Sequence, residues 1–282
     1  MGYIKTAILM SLIVFLFAFA GFSLGGESGM MLALIFAIVT NFGAYWYSDK
    51  FLLKMYNARR VDKNSANEIY LLVEELAKNA DLPMPAIYII NENAPNAFAT
   101  GRDHNNSAVA VTTGLVKVLT SSELKGVLAH ELAHIANRDM LISTFAATLS
   151  SAISSIATFA MFFGGRNSSG GRVNPLIMLV MMFLAPLAAT LIQMAISRSR
   201  EFEADRIGSI ISRDPMALAS ALRKIEEFGK NRIFEVAEKN PATAQMMIMN
   251  PLTGRGITNL FSTHPSTSER INRLKDLADS TS

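Results

Sequence analysis

Residues 120–139 read TSSELKGVLAHELAHIANRD. Thr120 followed three positions later by Glu123 has the form of a capping box, in which hydroxyl and carboxylate each satisfy one of the amides that open a helix. The helix this predicts runs through Leu124, Val127, Leu128, Glu131 and Ile135. Within it lies His130-Glu131-Leu132-Ala133-His134, the pattern H-E-x-x-H. Four residues make one helical turn plus about 40°, so both imidazoles leave the same face and can hold one Zn²⁺ at about 2.1 Å each. Glu131 lies beside them, placed to take a proton from water. With 4 His and 14 Glu in 282 residues, chance yields this pattern in roughly three of a thousand such chains, so a solvated polar face is the weaker reading.

On either side of this helix the composition changes. Four windows carry no Asp, Glu, Lys or Arg: Thr6 to Gly26, Ser28 to Ser48, Met140 to Gly165 and Val173 to Ser197. Each is long enough to cross a hydrocarbon core of about 30 Å as a helix. Half the chain is hydrophobic (50%), only 17% is charged, and the mean hydropathy is +0.29, which argues against a purely soluble protein. The remaining stretches, Asp49 to Asp139 and Arg198 to Ser282, add up to one ordinary domain split by a membrane hairpin. The expected organisation is therefore an N-terminal transmembrane hairpin (1–48), a first soluble half with the motif helix (49–139), a second hairpin (140–197) and a second soluble half (198–282).

Lys5 precedes window one, Lys50, Lys54, Arg59, Arg60 and Lys63 follow window two, and Arg198 and Arg200 follow window four. By the positive-inside rule both soluble halves face the cytoplasm, and Tyr45, Trp46 and Tyr47 read as an interfacial belt. Ala18-Phe19-Ala20 resembles a signal-peptide cleavage site, and Met1-Gly2 with Thr6 fits a myristoylation pattern. A second apolar window after only Glu27 favours an uncleaved hairpin with the tip Gly25-Gly26-Glu27-Ser28-Gly29. Window three, with its eight Ser and Thr from Ser143 to Thr158, reads either as a helix packed on neighbouring spans or as a surface-lying one.

The chain has no cysteine, which removes disulfides, thiol nucleophiles and thiolate metal sites, so a metal must use His and carboxylates. The net charge of +3 and pI near 9.1 are too mild to imply nucleic acid, and the basic residues beside the apolar windows suit anionic lipid headgroups. Lys125, Glu131, Arg138 and Asp139 make the motif helix too polar to be buried in a span, and Met140 stands where a metzincin would need a third His. Just after window four, Arg200-Glu201-Phe202-Glu203-Ala204-Asp205 places Glu201 and Asp205 on one helix face, with Glu203 turned away. Read with the upstream motif, Glu201 is the third ligand and Asp205 the carboxylate that orients a ligating imidazole; read alone, the segment is a charged turn.

Elsewhere, Ser65 with Glu68 reads as a capping box for a helix with the apolar face Ile69, Leu72, Val73 and Leu76. Ala86 to Ile90 and Ala108 to Thr112 read as short strands, with Asn96 to Thr100 as a third. Asp214-Pro215 caps Met216 to Phe228, and Ser266 with Glu269 caps Ile271 to Ala278. Asn240 to Pro265 is a long Gly- and Pro-punctuated loop, either functional or poorly ordered. The fold class is mainly α with a small β-sheet, in a multi-pass membrane protein. His264-Pro265 immediately precedes the last helix, so the imidazole projects from a fixed extended position, for a turn or for a cleft.

The whole pattern resembles the HtpX family of bacterial and archaeal membrane metallopeptidases, gluzincins related to the membrane CAAX prenyl proteases. The resemblance rests on the N-terminal hairpin, Asn96-Ala97-Phe98-Ala99-Thr100-Gly101, His130 to His134, the hairpin inserted before Glu201 to Asp205, and Thr263-His264-Pro265. It implies one Zn²⁺ per chain on His130, His134 and Glu201, and proteolysis of unfolded or damaged membrane proteins at the cytoplasmic face of the cell membrane, as part of quality control. It also implies that His264 faces the zinc and donates to the oxyanion of the tetrahedral intermediate. Substrate recognition is expected along Asn96, Ala97, Phe98 and Ala99, as an edge strand that pairs with an extended peptide. Two other readings stand beside it, a non-catalytic membrane chaperone and a processor of lipidated peptides. Oligomeric state is not written in the pattern.

Overall fold

The computed structural model describes residues 2–142, 198–229, 248 and 265–281. Window three beyond Ile142, window four, the tip between them, His264 and most of the loop 240–265 lie outside the described residues. The chain divides into two compact units, Met1–Trp46 with Ile142–Ala195, and Tyr47–Leu141 with Ile196–Ser282.

α1 (Gly2–Met55), which belongs to the first unit up to Trp46, is broken at Gly25 and Gly26, where Gly26 takes φ +60° and ψ −146°. Only glycine adopts that combination without strain, so the chain reverses there. Asn41 Nδ2 donates to the Met10 carbonyl at 3.3 Å and the Phe17 and Phe36 rings lie 5.5 Å apart. Early residues thus meet late ones, as in an antiparallel hairpin. Phe15, Phe19, Leu32, Ile35 and Val39 are exposed, a surface that water does not favour and lipid does. Among the described residues one stretch, Gly25–Met55, is long and apolar enough to cross a membrane, while the first arm offers the shorter Met10–Phe19.

The second unit is built on a four-stranded sheet of order β1 (Arg59–Val61), β2 (Ala86–Ile90), β4 (Asn106–Thr112) and β3 (Ala97–Asp103). β2 and β4 run parallel and the other pairs antiparallel, which leaves β3 at an edge. Residues alternate across a strand, so Ala97, Ala99, Val109 and Val111 join one core while Phe98, Ala108 and Ala110 join Leu52, Leu53 and Tyr56 on the other face. The first core also takes in α2 (Asn67–Asn79), α4 (Ser121–Asn137), α5 (residues 198–212), α6 (Pro215–Gly229) and α7 (Thr267–Thr281). α3 (Thr113–Val118) is a single turn after β4. Val127, Leu128 and Leu132 of α4 are fully buried, each contributing about 1.5–3 kcal/mol.

Thr120 and Glu123 form the expected capping box, and Asp214 Oδ1 accepts from the Ala217 amide at 2.9 Å. Ser65 does not cap α2: the N-cap is Ala66, with no side-chain bond. Asp62 is the reason, because its Oδ1 takes the amides of Asn64 and Ser65 and the Ser65 hydroxyl at 2.7 Å. The mainly helical chain with a small mixed sheet agrees with the sequence reading. β1 is an addition, formed where Arg59–Val61 pairs with Ile87–Ile89.

Candidate metal centre

α4 carries His130, Glu131 and His134, and α5 crosses it closely. A Cβ on Gly208 would stand 2.9 Å from the Cα of His130, so the absence of a side chain lets the two backbones touch. That contact brings Glu201 Oε2 to 3.5 Å from His130 Nε2 and Glu201 Oε1 to 3.4 Å from His134 Nε2. The ligand atoms of the three residues lie within 4.8 Å of one another, and the two imidazole rings are nearly perpendicular, with centroids 4.8 Å apart. Donors at about 2.1 Å from a tetrahedral ion are about 3.4 Å from each other. The His–Glu spacings match that edge.

Both imidazoles are held from behind. Asp205 Oδ1 lies 3.0 Å from His130 Nδ1, and Asp139 Oδ2 lies 3.1 Å from His134 Nδ1. A carboxylate that accepts from Nδ1–H leaves the Nε2 lone pair for the ligand site. Asp139 reaches back because Arg138 ends α4 in the left-handed region, at φ 60° and ψ 35°. The sequence reading placed Asp205 behind a ligand and gave Asp139 no such place.

Burial works against charge on His134, yet the hydrogen bonds it donates to Asp139 and Glu201 overcome it and push the imidazole up to about 10. Burial also raises the Glu131 carboxyl above its ordinary range, against the lowering effect of the two His and of the Ala99 amide, which bonds it. Glu131, Asp139, Glu201 and Asp205 are all buried, as are Arg200 and Arg270. With both imidazoles neutral, as ligation of a metal requires, these four carboxylates and two guanidinium groups leave a net charge of two negative when ionised. Buried charge is costly unless compensated; a divalent cation among N and O donors balances it, and the donor set fits zinc.

Glu203 pairs with Arg206 at 2.7 Å on the half-exposed face of α5, away from the cluster. Phe98 is buried against Tyr56, and the Asn96 side chain accepts from the Ala97 amide at 3.0 Å. Asn96 O accepts from the Thr112 amide, so by strand alternation the backbone groups of Ala97 and Ala99 face away from β4. The Ala97 carbonyl takes the Ile248 amide at 3.0 Å. Arg270, which the sequence reading passed over, is the largest fully buried side chain among the described residues.

Residues 63–278 match the model of peptidase family M48. A protein named Protease HtpX homolog from Burkholderia multivorans is 58% identical over 277 residues, covering 98% of this chain and 97% of that one. Another of that name from Methylibium petroleiphilum is 60% identical over 270 residues, covering 96% and 95%. The crystal structure of S. mikatae Ste24p shares the fold, with a TM-score of 0.51 and 21% identity, over 95% of this chain and 62% of that one.

Proposed function

The chain belongs to peptidase family M48, and from that premise we propose a zinc-dependent endopeptidase, anchored in the cell membrane, that cuts misfolded or damaged membrane proteins at the cytoplasmic face. The observation that carries this reading is the convergence of His130, His134 and Glu201 on one point, with Glu131 beside them. Zinc held there supplies a Lewis acid for the scissile carbonyl. Glu131 takes the proton of the attacking water and passes it to the leaving nitrogen. Asp205 and Asp139 hold the imidazoles in the ligating tautomer. His264 is assigned the oxyanion contact by the HtpX resemblance.

Substrate pairs as an added strand on β3. Because the side chains of Ala97, Phe98 and Ala99 are buried, the recognition surface is backbone, which suits substrates unrelated in sequence. The four-part division at residues 48, 139 and 197, with both soluble parts cytoplasmic, belongs to the same proposal and rests on the flanking Lys and Arg. A non-catalytic chaperone has no use for the retained base and ligands, and no observation favours processing of lipidated peptides. Detergent-purified protein should cleave an unfolded membrane-protein substrate, stop after chelation and recover with zinc. Cleavage indifferent to metal would refute the reading.

A further inference from the structure

Arg270 projects from the first turn of α7 into the interior, where a guanidinium persists only if its donors are met. Its Nε and Nη2 bind both oxygens of Asp205 at 2.8 and 2.7 Å. Nη1 donates to the Ile248 carbonyl at 3.0 Å and lies 3.5 Å from Glu201 Oε2. Asp205 in turn meets His130 Nδ1 at 3.0 Å, and the Ile248 amide binds the Ala97 carbonyl on β3. One planar fork therefore joins the carboxylate behind one imidazole to the edge strand β3.

We infer that Arg270 is a positioning residue for the metal centre: its two-pronged grip fixes the Asp205 carboxylate, which fixes the His130 ring that faces the ion. The inference rests on the metallopeptidase reading above. Only a fork can hold both carboxylate oxygens in one plane; a lysine supplies the same charge at one point and lets the carboxylate rotate. A mere helix tether is a different role, and α7 has one in Arg273, whose guanidinium lies 3.6 Å from the centre of the Phe202 ring while its side chain is 55% exposed.

The test compares wild type, Arg270→Lys, Arg270→Gln and Arg273→Ala in detergent. Zinc affinity is measured by competition with a chromophoric chelator, the visible spectrum is recorded with cobalt in place of zinc, and thermal midpoints are taken without metal. Loss of a partner behind a ligand typically weakens metal binding about 10–100-fold. Arg270→Lys and Arg270→Gln should show that loss and a changed cobalt spectrum, with Arg273→Ala like wild type in both whatever its midpoint. Affinity within about threefold of wild type and an unchanged spectrum in either Arg270 variant would overturn the assignment. So would an equal loss in Arg273→Ala, which would reduce Arg270 to a tether. If one Arg270 variant does not fold, the other decides; if neither folds, the role is structural and the inference falls. A wild type that binds no zinc instead refutes the metal reading itself.

Discussion

Glu201 and Glu203 are two positions apart and occupy opposite surroundings. Glu201 is buried between the two imidazoles, whereas Glu203 is half exposed with Arg206. Glu201→Gln should lose bound zinc and Glu203→Gln should retain it, as read by metal analysis of the purified variants; loss confined to Glu203→Gln would reverse the ligand assignment. His264→Ala should stay folded and zinc-loaded while turnover falls about 10²–10³-fold, the usual cost of one oxyanion donor. Turnover within a few-fold of wild type would remove that role. That His130 shares a face with His134, and Glu201 with Asp205, was readable from helical spacing; that the two faces meet depends on how the helices pack. Asp139 and Arg270 were not. Asp139 depends on a left-handed Arg138 that no propensity announces. Arg270 left one unused signal, since it shares a face with Leu274 and Leu277, where an unpaired charge does not belong.

Among the elements, α4 is the hub, and its junctions with α5 and α6 are open to test. Adding a methyl at Gly208 forces α5 away from His130; Gly208→Ala should cost about 1–3 kcal/mol of stability and weaken zinc binding together. Unchanged affinity would mean that the helix spacing does not set the site. At the other junction, burial pushes the Glu123 carboxyl up, but hydrogen bonds from Lys224, the Thr120 amide and Ser220 hold it down at about 2. A folded-state value below the ordinary 4.5 gives a stabilisation complete above that value and lost as pH falls towards and through about 2. The gap in denaturant midpoint between wild type and Glu123→Gln should therefore shrink on acidification; a constant gap would contradict it. The caps at Thr120 and Asp214 were legible because their bonds are local. β1 was not, since two of its three residues are arginine and only pairing with β2 makes them a strand. The Ser65 cap was misread because Asp62, three residues earlier, takes both the Ser65 hydroxyl and the Ser65 amide that the capping box would use.

At the scale of the whole molecule, charge-free windows and basic flanks predict a chain that leaves and re-enters the cytoplasm. The chain has no cysteine of its own, so single cysteines report cleanly. One at Asn105, exposed in the β3–β4 turn, and one at Ser168, between windows three and four, should label from opposite sides of the membrane. Labelling of both from the same side would refute the four-span topology. At the proposed centre, a buried metal on His130, His134 and Glu201 works with Glu131 to hydrolyse peptide bonds. The most direct measurement of this is zinc content and cleavage of an unfolded substrate by wild type and Glu131→Gln, side by side. Both should hold equal zinc, with cleavage about 10²–10⁴-fold slower in the variant, because the amide replaces the base without touching a ligand. Equal zinc with cleavage near wild type would contradict this role of Glu131.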